Sequence, residues 1–310
     1  MNPLHLAARN GPIVLVAGLV AGLLLPSLAE PMRPLLPPLV MLLLFVTVLR
    51  MEPKTLIGSL SDLRSVIRTI AALQLALPLT LLAIGHTAGW MSSPIFLSLL
   101  IVAAAPSISG SPNMCLMMGH PAEHAVRLVV VGTALLPLTA LPVFWLMPEL
   151  EDIRAVTGAS ARLFLTIAVA ASAAIVLRLT VLRNPSASTL SSLEGLGAIT
   201  LAVFVIGLMP SLSATALEAP GTALFWVAFA CVINFGAQAV MFILLRRRGP
   251  PAQATAISLI SGNRNIALFF VALPPEVIAP IMVFIGAYQI PMYLTPTLMR
   301  RLYRTSATDP

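Results

Sequence analysis

The sequence predicts an all-α membrane protein with ten transmembrane helices, and three observations lead to this prediction. Hydrophobic residues make up 58% of the 310 positions, charged residues only 9%, and the mean hydropathy is +0.98. Soluble domains average about 45–50% apolar and about 25% charged residues. Ten apolar runs reach the roughly 20 residues that cross a bilayer, and a short motif recurs in both halves of the chain. This composition excludes a water-soluble enzyme and a disordered chain.

The ten predicted spans follow one another with short connections. They cover residues 12–29, 33–50, 66–89, 94–118, 124–147, 159–183, 190–210, 221–245, 252–273 and 277–299. We expect the first span to be a retained helix, because no convincing small-residue cleavage site marks it as a signal peptide. Five spans fall within residues 1–150 and five within residues 151–310, which are the two predicted repeats. Only Cys115 and Cys231 are present, so no disulfide framework is expected.

The basic residues predict the orientation of these spans. With a cytoplasmic N-terminus, Arg33, Arg154 and Arg162 lie outside, whereas a much larger set lies inside. The inner set is Arg9, Arg50, Lys54, Arg64, Arg68, Arg178, Arg183, Arg246, Arg247, Arg248, Arg300, Arg301 and Arg304. Cytoplasmic loops carry the excess of Lys and Arg, so we expect a multi-pass protein of the inner (plasma) membrane with both termini cytoplasmic. The arginines form no continuous patch, and no nucleic-acid partner is expected.

The same polar motif interrupts the fourth and the ninth predicted span. Residues 108–113 read ISGSPN and residues 260–265 read ISGNRN, 152 positions apart in a chain whose half-length is 155. Ser, Gly, Pro and Asn are poor helix formers, so a break is expected at each place. Five spans per half invert the second copy across the membrane. Inverted repeats with interrupted helices indicate a transporter binding site between them.

With these motifs, the chain resembles the bile acid:sodium symporters over its whole length. Four segments carry the resemblance: ALQLALP at 72–78, SISGSPN at 107–113, SGNRN at 261–265 and YQI at 288–290. They are similar, in order, to the family's sodium-binding Gln ahead of a Pro, its two helix crossovers and its His-Asn-Ile segment. The resemblance implies a panel of spans 1, 2, 6 and 7 and a core of spans 3–5 and 8–10. It also implies alternating access and an organic anion substrate held between the two parts.

The resemblance and the repeat together give the candidate site residues. The predicted substrate-binding residues are Arg264, Asn265, Asn113, Ser109, Gly110, Tyr288 and Gln289. The predicted remnant of an ion site consists of Gln74, Ser261 and Asn263. We expect no catalytic residues, no metal and no cofactor. The bilayer and a small organic anion are the expected partners, and the sequence predicts no oligomeric state.

Two substitutions argue against sodium coupling. Ile260 stands where the family has a sodium-binding Glu, and Arg264 replaces the neighbouring Gln. In the fifth span, the family's Ser and Thr ligands align with apolar residues at 125–130. A hard cation needs several convergent oxygens. A sodium symporter with atypical ligands, such as Gln74 with backbone carbonyls, remains the alternative within this class.

An arginine in the middle of a span is unusual enough to predict a role for Arg264. Intramembrane charges are costly and usually face the bundle interior. Three hypotheses stay open: the guanidinium fills the place of a sodium ion and holds the crossover through carbonyls and side chains such as Gln74, it binds the substrate anion, or it only caps carbonyls of the broken fourth helix. Separately, a proton could be the coupling ion, with a cluster of His120, Glu123, His124 and Arg127 as a gate or relay.

The predicted function is therefore a secondary transporter of a small or amphipathic organic anion that does not require sodium. An intramembrane enzyme is disfavoured because the spans lack convergent His, Asp, Glu or Cys groups. A membrane sensor built on a transporter scaffold is the remaining alternative. No Gly-rich phosphate loop with a following Lys supports ATP-driven transport.

Overall fold

The computed structural model describes residues 2–51, 60–150 and 152–304, and these residues form α-helices with short 3₁₀ and π segments. Within the described residues, seven helices are long and apolar enough to cross a membrane. They are Glu30–Arg50, Leu63–Ala88, Glu123–Leu146, Ile153–Thr180, Ala187–Glu218, Pro220–Leu245 and Pro275–Leu298. An eighth candidate is the pair Pro3–Arg9 and Ile13–Leu24, which is bent by 96°. The chain is a helical, multi-pass membrane protein.

The helices of the first half are short where prolines and glycines divide them. In order they are α1 (Pro3–Arg9), α2 (Gly11–Leu24), α3 (Pro26–Ala29), α4 (Leu36–Arg50), α5 (Leu60–Ile70), α6 (Leu77–Ala88), α7 (Pro94–Ala104), α8 (Ser111–Met117) and α9 (Glu123–Leu146). Proline lacks the N–H that the first helical turn leaves unbonded, so it fits at the start of α7. Gly89, with φ +70°, ends α6 in the left-handed conformation that favours glycine.

The second half contains the longest helices. In order they are α10 (Ile153–Thr180), α11 (Ala187–Glu218), α12 (Pro220–Leu245), α13 (Pro251–Gly262), α14 (Phe269–Ala272), α15 (Pro275–Ile278), α16 (Met282–Leu298) and α17 (Arg300–Arg304). Side chains of Asp152 and Ser186 cap the N-termini of α10 and α11. The predicted end of a span at residue 210 is wrong, since α11 continues through Pro210 to Glu218. A proline within a buried helix removes only one donor, and packing against α2 supports this helix.

The helices pack as two groups that share one large hydrophobic cluster. In one group, α11 packs against α1, α2 and α4, and α10 packs against α4. In the other, α12 packs against α13 and α16, and α9 packs against α5, α8 and α13. The groups meet where α10 contacts α9 and α14, and where α11 contacts α16. A second hydrophobic cluster, which includes Leu73, Cys115 and Ile260, has no buried residue from α1, α2, α4, α10 or α11.

Because seven, or up to eight, of the described helices are long and apolar enough to span a membrane, the ten-span topology stays a prediction, whereas both predicted interruptions are present. The chain leaves α7 at Ala104 and re-enters a helix at Ser111, and it leaves α13 at Gly262 before the 3₁₀ turn Ile266–Leu268. A third irregularity was not predicted: between α5 and α6, residues Ala71–Ala76 form a π turn. A π turn inside a helix often marks a functional position, and this one contains Gln74.

Candidate functional site

The two helix interruptions lie against each other and pair through their backbones. Ser107 and Arg264 form an isolated antiparallel bridge. On one side of it the Ile108 N–H donates to the Asn263 carbonyl at 3.1 Å, and on the other the Asn265 N–H donates to the Pro106 carbonyl at 2.7 Å. Backbone groups freed from a helix in an apolar environment must find partners. Here each interruption supplies the partners of the other.

Arg264 lies beside this pairing and is only 2% exposed. Its Nη1 donates to the Ala105 carbonyl at 3.0 Å, its Nη2 to the Leu73 carbonyl at 3.4 Å and its Nε to the Ser261 carbonyl at 3.2 Å. The side chain therefore joins the π turn, the end of α7 and the end of α13. Arg264 forms no ion pair with a described carboxylate, so carbonyl dipoles compensate this charge.

These contacts match two of the three hypotheses for Arg264, a built-in cation and a cap for carbonyls of the broken helix. Direct contact with a substrate requires the guanidinium to become exposed, and it stays a prediction. The expected partner Gln74 is wrong in detail, because the carbonyl of its neighbour Leu73 accepts the hydrogen bond instead. Leu73 lies in the π turn, where the backbone departs from the regular α-helical hydrogen-bond pattern. Its carbonyl can therefore accept from Arg264.

Gln74 is buried in the same π turn and is only half satisfied. Its Nε2 donates to the Gly132 carbonyl at 3.4 Å, whereas its Oε1 is buried without a hydrogen-bond partner. A Cβ at Gly132 would lie 3.2 Å from this oxygen, so glycine leaves room for the amide. A buried oxygen of this kind is costly to leave unpaired.

A polar network surrounds the second interruption. The Tyr288 hydroxyl and the Asn234 Nδ2 both donate to the Gly262 carbonyl. The Asn263 Oδ1 accepts from Asn234 at 3.3 Å and from the Thr295 hydroxyl at 3.2 Å. All four of these side chains are fully buried. Tyr288 and Asn263 thus hold the end of α13 in place, and their roles toward a ligand stay predictions.

The network continues toward the C-terminal end of the described chain. Gln238 donates to Asn234 at 2.7 Å and to Thr295 at 3.1 Å, and it accepts from the Tyr303 hydroxyl at 3.0 Å. The Ser261 hydroxyl donates to the Ala237 carbonyl of α12 at 3.0 Å. Asn234, Gln238, Thr295 and Tyr303 were not predicted as site residues from the sequence. The signal was an i, i+4 pair of amides inside an otherwise apolar run, which is expensive in a membrane unless bonded.

The remaining predicted substrate residues differ in how much surface they present. Ser109 and Asn113 are exposed, and Gly110 and Asn265 are half-buried. Gln289 is buried, with its Nε2 bonded to the Ile285 carbonyl at 3.3 Å and its Oε1 without a partner. The accessible polar surface beside the paired interruptions therefore comes from Ser109, Asn113 and Asn265.

The histidines near the start of α9 do not form a connected relay with one another. His120 is buried, and its Nε2 lies 3.2 Å from the Tyr303 carbonyl. The Nε2 of His124 is buried without a hydrogen-bond partner. Glu123 is exposed at the first turn of α9. A proton relay here stays a prediction.

Two cavities lie at the end of the molecule that the sequence predicts to be outside. One, of about 270 Å³, is lined by Glu149 and Glu276 together with Ser92 and Ser93. The other, of about 390 Å³, has apolar walls and a single charged residue, Arg33. In the first cavity, burial raises the pKa of the Glu149 carboxyl, and a backbone hydrogen bond partly opposes this.

We expect the substitution Glu149→Gln to change the pH dependence of stability. Folding raises the pKa of this carboxyl, so its contribution to stability is complete at a pH below its unfolded-state pKa of about 4.3. That contribution is lost as the pH rises through the raised value. The melting temperature of the wild type should therefore fall relative to that of Glu149→Gln between pH 4 and pH 7, measured by thermal unfolding in detergent. Glu149→Asp keeps a carboxyl and should retain a fall; parallel profiles for wild type and Glu149→Gln would contradict the expectation.

No protein-family model and no curated protein match this chain.

Proposed function

We propose that this protein is a secondary transporter that carries a small or amphipathic organic anion across the membrane by alternating access. The observation that carries the proposal is the antiparallel pairing of two helix interruptions, at 106–108 and 263–265, around the buried Arg264. Interrupted apolar helices at matching positions of two halves are typical of transporter binding sites. In this topology 94–118 and 252–273 are interrupted spans, and ten spans form two inverted five-helix repeats.

The division into a moving core and a supporting panel is part of the same proposal. The group formed by α2, α4, α10 and α11 corresponds to the panel of the bile acid:sodium symporters, which the chain resembles. The group containing both interruptions corresponds to their core. A substrate would bind between the two groups. The protein would lie in the inner (plasma) membrane, with its N- and C-termini in the cytoplasm.

The exposed polar groups beside the interruptions support a binding surface. Ser109 and Asn113 are exposed on a segment whose neighbours are strongly apolar. Polar groups facing lipid at mid-membrane are costly, so we assign this surface to a water-filled path. Arg264 adds a positive charge, which no described carboxylate neutralises, and a fixed cation in an apolar region favours an anion.

The same arginine supports transport without sodium. Its three carbonyl partners are oxygen groups of the kind that coordinate a hard cation. The guanidinium would hold the two interruptions together permanently and take the place of the ion. One observation supports the sodium-coupled alternative: the buried Gln74 Oε1 has no hydrogen-bond partner. Uptake in the presence and absence of sodium distinguishes sodium-coupled from sodium-independent transport.

Uptake into proteoliposomes tests the function. Radiolabelled taurocholate, octanoate and short-chain carboxylates would be offered in sodium and in choline buffer, at pH 6 and at pH 8. We expect uptake of at least one anion class at equal rates in both buffers. Uptake that requires sodium would establish the alternative, and no uptake of any anion would overturn the transporter proposal.

The substitution Asn113→Ala tests the assigned surface. We expect it to lower uptake about tenfold with little change in the melting temperature, because Asn113 is exposed and surface substitutions usually change stability by less than about 0.5 kcal/mol. Leu116→Ala is the matched control, since Leu116 is 60% exposed on the same short helix. Equal loss of uptake in both variants would show that the effect does not depend on the amide.

A further inference from the structure

The larger outer cavity has the size and the lining of a ligand site. Its volume of about 390 Å³ lies within the range of roughly 300–1,000 Å³ that is usual for small-molecule sites. At ~30 Å³ for a water-sized group, it accommodates on the order of a dozen non-hydrogen atoms. The walls include Phe270 and Met282, and Arg33 is the only charged or hydrogen-bonding side chain that lines it.

Prolines make this cavity rigid and poor in hydrogen-bond donors. Pro34, Pro37 and Pro275 line it on opposite walls. Each ring fixes φ and removes a backbone N–H, so the walls offer apolar surface without backbone donors at these positions. A site that is already formed loses less freedom on binding.

Arg33 can bind an anion at this cavity because its guanidinium is almost unused. It makes one long hydrogen bond, from Nη2 to the Ser211 hydroxyl at 3.4 Å. Arg33 forms no ion pair with a described carboxylate. A guanidinium fork matches the geometry of a carboxylate or a sulfonate. A second negative charge would face apolar walls, where an unpaired charge is strongly unfavourable.

We propose that this cavity binds an amphipathic monoanion with a hydrocarbon body of about eight to ten carbons, its carboxylate or sulfonate held by Arg33. The occupant is an organic acid from the outer aqueous phase, and it docks here before it reaches the paired interruptions. This last point rests on the proposed function. One wall, 33–37, leads into the first turn of α4 in the panel-like group, and the other, 270–282, follows the second interruption. The neighbouring cavity with Glu149 and Glu276 repels such a ligand.

Binding of radiolabelled octanoate to the full chain in phosphatidylcholine nanodiscs tests this proposal, with empty nanodiscs subtracted. We expect Arg33→Gln to weaken binding at least tenfold and Ala279→Trp, which fills the cavity, to abolish it. Arg154→Gln should bind like the wild type, since Arg154 is an exposed arginine at the same predicted face but outside the cavity. Suberate, the dicarboxylate of equal chain length, should compete at least tenfold more weakly than octanoate.

Several results would overturn the proposal. These are wild-type affinity of Arg33→Gln for octanoate, equal competition by suberate, or displacement by phosphatidylglycerol in the nanodiscs as strong as that by octanoate, which would make the occupant a lipid. Uptake measurements separate this proposal from the proposed function. Binding that depends on Arg33, with no uptake of any anion, would support the binding site and overturn the proposed transport function. Uptake together with unchanged binding in Arg33→Gln would support transport and overturn the binding site.

Discussion

Replacing Arg264 with leucine is expected to destabilise the protein by about 3 kcal/mol, which is enough to lower its melting temperature in detergent by several degrees. The substitution leaves the carbonyls of Ala105, Leu73 and Ser261 without this donor. An unsatisfied buried carbonyl costs about 1–3 kcal/mol. Removing a buried arginine recovers only about 2.5–3.5 kcal/mol on insertion scales, so the loss of the three hydrogen bonds dominates. Thermal unfolding followed by tryptophan fluorescence measures the change.

Arg264→Lys is the control for charge, because it keeps a cation but cannot reach three carbonyls in a fixed fork. We expect an intermediate melting temperature for it. An Arg264→Leu variant as stable as the wild type would contradict the assigned contacts.

The double variant Arg264→Gln with Ile260→Glu tests whether the guanidinium takes the place of an ion. Ile260 is 4% exposed, and a carboxylate there together with an emptied guanidinium space offers oxygen ligands to a hard cation. We expect sodium, but not choline, to raise the melting temperature of this variant and to leave that of the wild type unchanged. A folded double variant that is indifferent to sodium would argue against a built-in cation.

The second large effect is expected at Gly262. A Cβ at this position would lie 2.1 Å from the Asn234 carbonyl oxygen and 2.7 Å from the Gln238 Cγ. Because the first obstacle is backbone, α12 would have to shift, and forcing extra volume into a packed interior costs about 1–3 kcal/mol or more. The shift also disturbs the hydrogen bonds from Asn234 and Tyr288 to the Gly262 carbonyl. We therefore expect Gly262→Ala to give a much lower melting temperature and a smaller yield of monodisperse protein.

Gly236→Ala is the matched control on the adjacent helix. Nothing lies within 4 Å of a Cβ at Gly236, and alanine is favoured over glycine in a helix interior by about 1 kcal/mol. The control should be neutral or slightly stabilising. Equal losses in the two variants would mean that the close approach at Gly262 is not the cause.

The sequence was sufficient to predict the apolar helices and the position of both interruptions. Length and hydropathy predict spans because a bilayer demands a minimum apolar length. Pro112 and the Ser, Gly and Asn residues around it predict a break because each is a poor helix former. The motif at 260–265 predicted the second break for the same reason. Local composition decides these features, so no knowledge of distant contacts was needed.

Other parts of the site depend on contacts between distant segments. The sequence showed Gln74 but not the π turn that contains it, and not the choice of the Leu73 carbonyl as the partner of Arg264. Asn234, Gln238 and Thr295 appeared only as polar residues in apolar runs, and their common network requires α12, α13 and α16 to lie side by side. Hydropathy depends on residue type and carries no information about which polar groups will meet.

The sequence alone thus determined that this chain is a helical membrane protein with two polar interruptions, the second of which contains Arg264. The tertiary structure decided that the two interruptions pair with each other. It also decided that Arg264 donates hydrogen bonds to three backbone carbonyls and that Arg33 lines an apolar cavity. The physical reason is the range of the forces involved. Burial of apolar length is set by neighbouring residues in the chain, whereas hydrogen bonds of freed backbone groups are set by whichever segments the packing brings together.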